Sequence, residues 1–63
     1  MTIVKGQRVA RTKTGIRHIA DKVNVMSVDA MCGQILTYPH VEDLLGSDCP
    51  ECDRAARALA AGE

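Results

Sequence analysis

The stretch IRHIADKVNVMSVDAMCGQ (residues 16–34) decides the fold. Ile16, His18 and Ala20 alternate with Arg17, Ile19 and Asp21, which is the two-residue period of a strand with unlike faces. Asp21-Lys22-Val23-Asn24 carries turn-type residues. Beyond it, Val28, Ala30 and Cys32 share a face opposite to Asp29 and Met31. An antiparallel pairing with its turn centred near Val25 sets Ile16 opposite Gln34, His18 opposite Cys32 and Ala20 opposite Ala30. Opposed side chains on such a ladder lie about 4.5–5.5 Å apart at Cβ. The hairpin therefore aims an imidazole and a thiol at one point although they are far apart in the chain. A slip of one residue would turn one of them to the wrong face.

Downstream, Ile35-Leu36-Thr37-Tyr38 either continues the second strand or starts a third, and Pro39 ends it. Residues 41–45 read as a short helical turn or loop closed by Gly46-Ser47. Residues 49–61 read as a helix. Pro50 suits the first helical position, Glu51 and Asp53 complement the positive end of the helix dipole, the alanine-rich run propagates well, and Gly62 is a stop. Cys52, Ala55, Ala56 and Leu59 form its inward stripe.

Cys49-Pro50-Glu51-Cys52 presents two sulfurs from one tight turn, and Cys32-Gly33 fits a metal knuckle, in which the residue after the ligand benefits from having no Cβ. With His18 they make a Cys3His set, a donor combination suited to one structural, tetrahedral Zn2+. His40 competes with His18 for the nitrogen position. His18 is favoured because it shares strand parity with Cys32, whereas His40 follows Pro39 and precedes acidic residues. Asp48, beside Cys49, reads either as an acceptor behind the ligands or as a residue leading into the helix.

The chain needs such a staple. It has 63 residues, no Phe, no Trp and a single aromatic, Tyr38. A domain of this size buries only about 60% of its unfolded surface, and a structural zinc contributes about 10–16 kcal/mol of apparent binding energy that doubles as folding energy. Disulfides are the weaker alternative, since three cysteines leave one unpaired and no apolar leader segment follows Met1. The expectation is a reducing cytoplasm, where thiols bind metal more than they pair. No apolar run reaches the length needed to span a bilayer.

Formal net charge is zero, but the two parts of the chain differ. Residues 1–22 carry Lys5, Arg8, Arg11, Lys13, Arg17 and Lys22 against Asp21, about +5, and the remainder is about −5. The expected layout is a basic arm or short strand over residues 1–14 and a zinc-binding domain over 15–63. The fold class expected is a small α+β zinc-stabilised domain, a β-hairpin plus C-terminal helix of treble-clef or zinc-ribbon-like character.

His18-Ile19-Ala20-Asp21, Met31-Cys32-Gly33 and Cys49-Pro50-Glu51-Cys52 together resemble small actinobacterial and actinophage single-zinc-finger proteins. The resemblance covers about residues 16–58. It implies that His18, Cys32, Cys49 and Cys52 bind Zn2+, and says little about activity because those proteins are mostly of undefined role. The basic arm is not part of their motif.

Enzymatic zinc signatures fit poorly. A deaminase wants H-x-E with P-C-x-x-C, but Ala20 stands at the Glu position and Pro50 follows the first Cys. No H-E-x-x-H occurs, and the expectation is a non-enzyme. Two functions remain. One is a protein-interaction or regulatory module, phage-encoded on the resemblance and acting on a host protein in the host cytoplasm, with a second copy of the chain as another protein partner. The other is a nucleic-acid-binding finger that uses Lys5, Arg8, Arg11, Lys13, Arg17 and Lys22 on phosphates. Lack of a stacking aromatic and an acidic helix start weigh against the second. An apolar patch for the first would draw on Met26, Met31, Leu44 or Leu45, at least two of which are expected in the core.

Overall fold

A computed structural model describes residues 3–62; Met1, Thr2 and Glu63, the ends of the expected arm and domain, lie outside it. Strands Arg8–Val9 (β1), His18–Val23 (β2), Ser27–Ala30 (β3) and Ile35–Thr37 (β4) precede one helix, Pro50–Gly62 (α1). The strands form one antiparallel sheet in the order β1-β2-β3-β4. The fold is thus a small α+β domain with a C-terminal helix, as the sequence implied.

The β2–β3 hairpin has the expected pairing at one end only. Ala20 lies opposite Ala30, but nearer the turn Lys22 pairs with Asp29 and Val23 with Val28, one residue out of frame. The turn sets that second frame. Val25 and Met26 are its two tip residues, closed by the Asn24 N–H donating to the Ser27 carbonyl at 2.8 Å. The Asn24 amide also reaches Ser27 Oγ at 3.3 Å and Asp29 Oδ1 at 3.4 Å. A turn centred on one residue would keep a single frame throughout. A two-residue tip shifts it, and an irregularity between Ala20 and Lys22 absorbs the difference. Such a bulge restores the facing of the buried end at the cost of one unpaired residue.

The pairing of His18 also differs from the expectation. Its strand partner is Val9 of β1, not Cys32. β3 ends at Ala30, and Cys32 sits in the turn that leads to β4. Ile16 lies outside the strands and is 56% exposed, so it does not oppose Gln34.

Within the expected arm, residues 8 and 9 form the edge strand. The Gly6 N–H donates to the Ala20 carbonyl at 2.8 Å, and the Ala20 N–H donates to the Gln7 carbonyl at 2.9 Å. Val9 and Ala10 are fully buried, and Ala10 bridges to His40. Residues 11–14 are exposed.

Residues 41–49 form a loop without helix. It docks on the turn before β2, where the Leu45 N–H donates to the Lys13 carbonyl at 2.7 Å. A Cβ on Gly46 would run into the Gly15 carbonyl, so this approach requires glycine.

Two apolar clusters share the sheet. Val9, Ala20, Val28 and Leu36 form one, with Ile3 and Val41 against it. Ile19, Ala30, Cys49 and Cys52 form the other, with Met31, Cys32 and Ala56 against it. His18, Ile19 and Ala20 are therefore all buried, because the first half of β2 is covered on both faces. α1 buries less than its stripe suggested. Cys52 is its one buried residue, Ala55 and Ala56 are half-buried, and Leu59 is 51% exposed because residues 57–62 are solvated.

Candidate metal centre

Each donor arrives by a different local device. His18 opens β2, where pairing with Val9 fixes its backbone. Cys32 sits in a turn in which the Gly33 N–H donates to the Ala30 carbonyl at 2.9 Å. Gly33 has φ of 97° there, a conformation that a side chain disfavours. Cys49 precedes α1 and its carbonyl accepts the Asp53 N–H at 3.1 Å. Cys52 follows in the first helical turn.

The four donor atoms converge, all within 4.8 Å of one another. His18 Nδ1 stands 3.4 Å from Cys32 Sγ and 3.5 Å from Cys52 Sγ. A tetrahedral zinc with Zn–S about 2.3 Å and Zn–N about 2.05 Å places sulfur and nitrogen about 3.5 Å apart and two sulfurs about 3.8 Å apart. The cluster has the size and the soft donor set of a zinc site, with three of the four residues buried. Four protein donors leave a tetrahedral ion no open position for substrate.

The thiols differ in acidity. Burial pushes Cys32 up to about 11; the Gln34 backbone opposes this, and the neighbouring Cys52 and Cys49 add to it. Burial also acts upward on Cys49. There the backbone N–H groups of Cys52 and Glu51, with the thiols of Cys52 and Cys32, outweigh it and hold the group below its ordinary value. Free N–H groups at a helix start stabilise a thiolate in this way.

His40 is not in the cluster. Its N–H donates to the Ala10 carbonyl at 2.6 Å and its carbonyl accepts the Ala10 N–H at 3.0 Å, which ties it to the edge of β1.

Asp48 engages arginines. Its carboxylate lies 2.7 Å from the Arg17 guanidinium and 3.6 Å from that of Arg8, and Arg8 also holds Asp53 at 2.8 Å. Arg17 and Asp48 are joined by backbone as well. The Arg17 N–H donates to the Ser47 carbonyl and its own carbonyl accepts the Cys49 N–H, both at 2.8 Å. This clasp fastens the start of β2 to the start of α1. Sequence reasoning missed it, although Arg17 precedes His18, Asp48 precedes Cys49 and Asp53 follows Cys52.

The basic residues singled out for phosphate contact are thus divided. Arg8 and Arg17 are held in the clasp, and Lys5 lies 3.8 Å from Asp21. Arg11, Lys13 and Lys22 are exposed. Of the apolar candidates, Met26 and Leu45 are exposed, whereas Met31 and Leu44 are half-buried. Among the described residues, no helix is long and apolar enough to cross a membrane. No family model, curated protein or solved structure matches this chain.

Proposed function

We propose that this chain is a zinc-stapled protein-interaction module: one structural Zn2+ on His18, Cys32, Cys49 and Cys52 holds a small scaffold whose surface docks another protein. The observation that carries this choice is the clasp. Arg8 and Arg17 neutralise Asp48 and Asp53 within the fold, which removes the centre of the basic run from phosphate recognition. What remains exposed includes Val23, Val25 and Met26 on the β2–β3 hairpin, Ile35 on β4, and Tyr38 just past it. Apolar exposure of this kind serves protein contacts better than nucleic-acid contacts. The filled coordination sphere supports a non-catalytic role. With the resemblance to actinophage zinc fingers, the partner class is a host regulatory or transcription protein, met in the host cytoplasm.

Zinc-loaded protein titrated with short DNA and RNA at low salt tests the choice. The expected result is weak binding with a salt slope of about three phosphates at most from the basic run, in which Arg11, Lys13 and Lys22 stand outside the ion pairs. Tight binding that is lost on Arg11→Ala with Lys13→Ala would overturn it in favour of a nucleic-acid finger. In parallel, zinc-loaded bait is expected to retain a nuclease-resistant protein partner that chelator-treated bait releases.

A further inference from the structure

We propose that β4 is a self-pairing edge, at which a second copy of this chain joins antiparallel at Ile35–Thr37 about a twofold axis through Leu36. Sheet order places β4 at the end of the sheet. Its register is Ser27 with Thr37, Val28 with Leu36 and Asp29 with Ile35. The Ala30 N–H donates to the Gln34 carbonyl at 2.7 Å, and the Tyr38 N–H to the Met26 carbonyl at 3.5 Å. Hydrogen-bonded pairs alternate along an antiparallel ladder, so Leu36 bonds inward to Val28. The N–H and C=O groups of Ile35 and Thr37 point outward, and no described segment pairs with them.

The two edges of the sheet are treated differently. By the same alternation, the Ala20–Gln7 bond turns the backbone of Arg8 and Ala10 outward on β1. The Ala10–His40 bridge draws the chain just past β4 against the end of β1 and leaves Ile35–Thr37 outside it, and the β1 edge alone carries a charge, that of Arg8. Proteins blunt open edges with charge, proline or cover. Residues 35–38 have neither charge nor proline. Leu36 turns its side chain into the core, while Ile35 and Tyr38 are apolar and solvated, 67% and 73% exposed.

The occupant follows from symmetry and charge. The outward groups of Ile35 and Thr37 lie one residue either side of Leu36. An antiparallel copy therefore sets Ile35 against Thr37 in both halves and pairs every outward N–H and C=O. It also stacks a β-branched residue on a β-branched residue, a favourable cross-strand pair. An uncharged edge has nothing to repel a like copy. The nearest charge on the ladder is Asp29, whose carboxylate the Asn24 amide already engages. Three residues make a small contact, so association is weak and concentration-dependent.

Sedimentation equilibrium of the zinc-loaded full chain, taken to about 1 mM, tests this. The mass is expected to rise from one chain toward two. Ile35→Lys sets like charges beside the twofold axis, and Thr37→Pro removes an outward N–H while sparing the inward bonds of Leu36, an arrangement that edge strands tolerate. Each variant is expected to stay monomeric with zinc content unchanged. If Thr37→Pro loses its zinc, Ile35→Lys alone decides. A wild-type chain that stays monomeric at the highest concentration overturns the proposal, and so does a dimer that Ile35→Lys leaves intact. Zinc is assayed in the same samples, so failure of the metal reading and failure of the edge are read separately.

Discussion

Cys32 and Cys49 occupy opposite ends of one thiol scale although their sulfurs share a cluster. Cys49 draws on the N–H groups of Glu51 and Cys52, while Cys32 is pushed up to about 11 by burial and by its thiol neighbours. Zinc binds thiolates, so binding must displace the Cys32 proton at any pH below about 11. The sign follows: protons compete with the metal, and apparent affinity rises with pH. Competition with a chromogenic chelator between pH 6.5 and 9 is expected to show about tenfold tighter binding per pH unit for each proton displaced. Cys32→His replaces a group protonated throughout this range by one with an ordinary value near 6.5. Its slope is expected to be shallower by about one proton; an unchanged slope would mean that Cys32 does not titrate on binding. The two histidines separate just as simply. His18→Ala is expected to lose the tetrahedral visible spectrum of the cobalt-substituted protein, and His40→Ala, whose backbone carries its bonds to Ala10, to retain it.

At the scale of elements, the centre depends on how β2 meets α1. The backbone bridge of Arg17 with Asp48 and the ion pairs to Asp48 and Asp53 set His18 beside Cys49 and Cys52. The side chains are about one-third exposed, which weakens each pair. Even so, Asp48→Ala takes the close acceptor from Arg17, whose Nε already lies buried without one, and the 3.6 Å ion pair from Arg8, which keeps Asp53. A loss of about 1–2 kcal/mol is expected in denaturant unfolding of the zinc-loaded protein, narrowing in high salt. This clasp also marks where the sequence stopped being legible. Strand parity placed Ala20 opposite Ala30, and the Cys-Pro-Glu-Cys run placed two thiols at a helix start, because both are local patterns. The Asp21 region could not be read the same way. There a two-residue tip at Val25-Met26 and the buried pair Ala20–Ala30 demand different frames, and a bulge is the compromise. The Arg8 contacts are long-range, and no local period encodes them. The exposure of Leu59 was missed because the helical stripe continues beyond the sheet that it covers.

At the scale of the whole molecule, two small clusters draw on the same strands. β2 gives Ala20 to one and Ile19 to the other, and β3 likewise gives Val28 and Ala30. The metal donors adjoin the second cluster. Leu36, the largest fully buried side chain, belongs to the first. Neither cluster contains an aromatic, and a core this small supplies little stability by itself. Folding and metal binding should then be one equilibrium, in which stability lost anywhere appears as metal affinity lost. Chelation is accordingly expected to abolish the strand and helix signals of circular dichroism in a single transition. The stronger test is Leu36→Ala. Truncating a fully buried leucine costs about 2–5 kcal/mol, and the Leu36 side chain is not among the groups that gather at the metal site. In a coupled system that cost weakens apparent zinc affinity by about 30-fold to a few thousand-fold, while the coordination spectrum of the loaded protein stays unchanged. If zinc affinity were untouched by Leu36→Ala, the fold would have to stand before the ion arrives, and the metal would not be its staple.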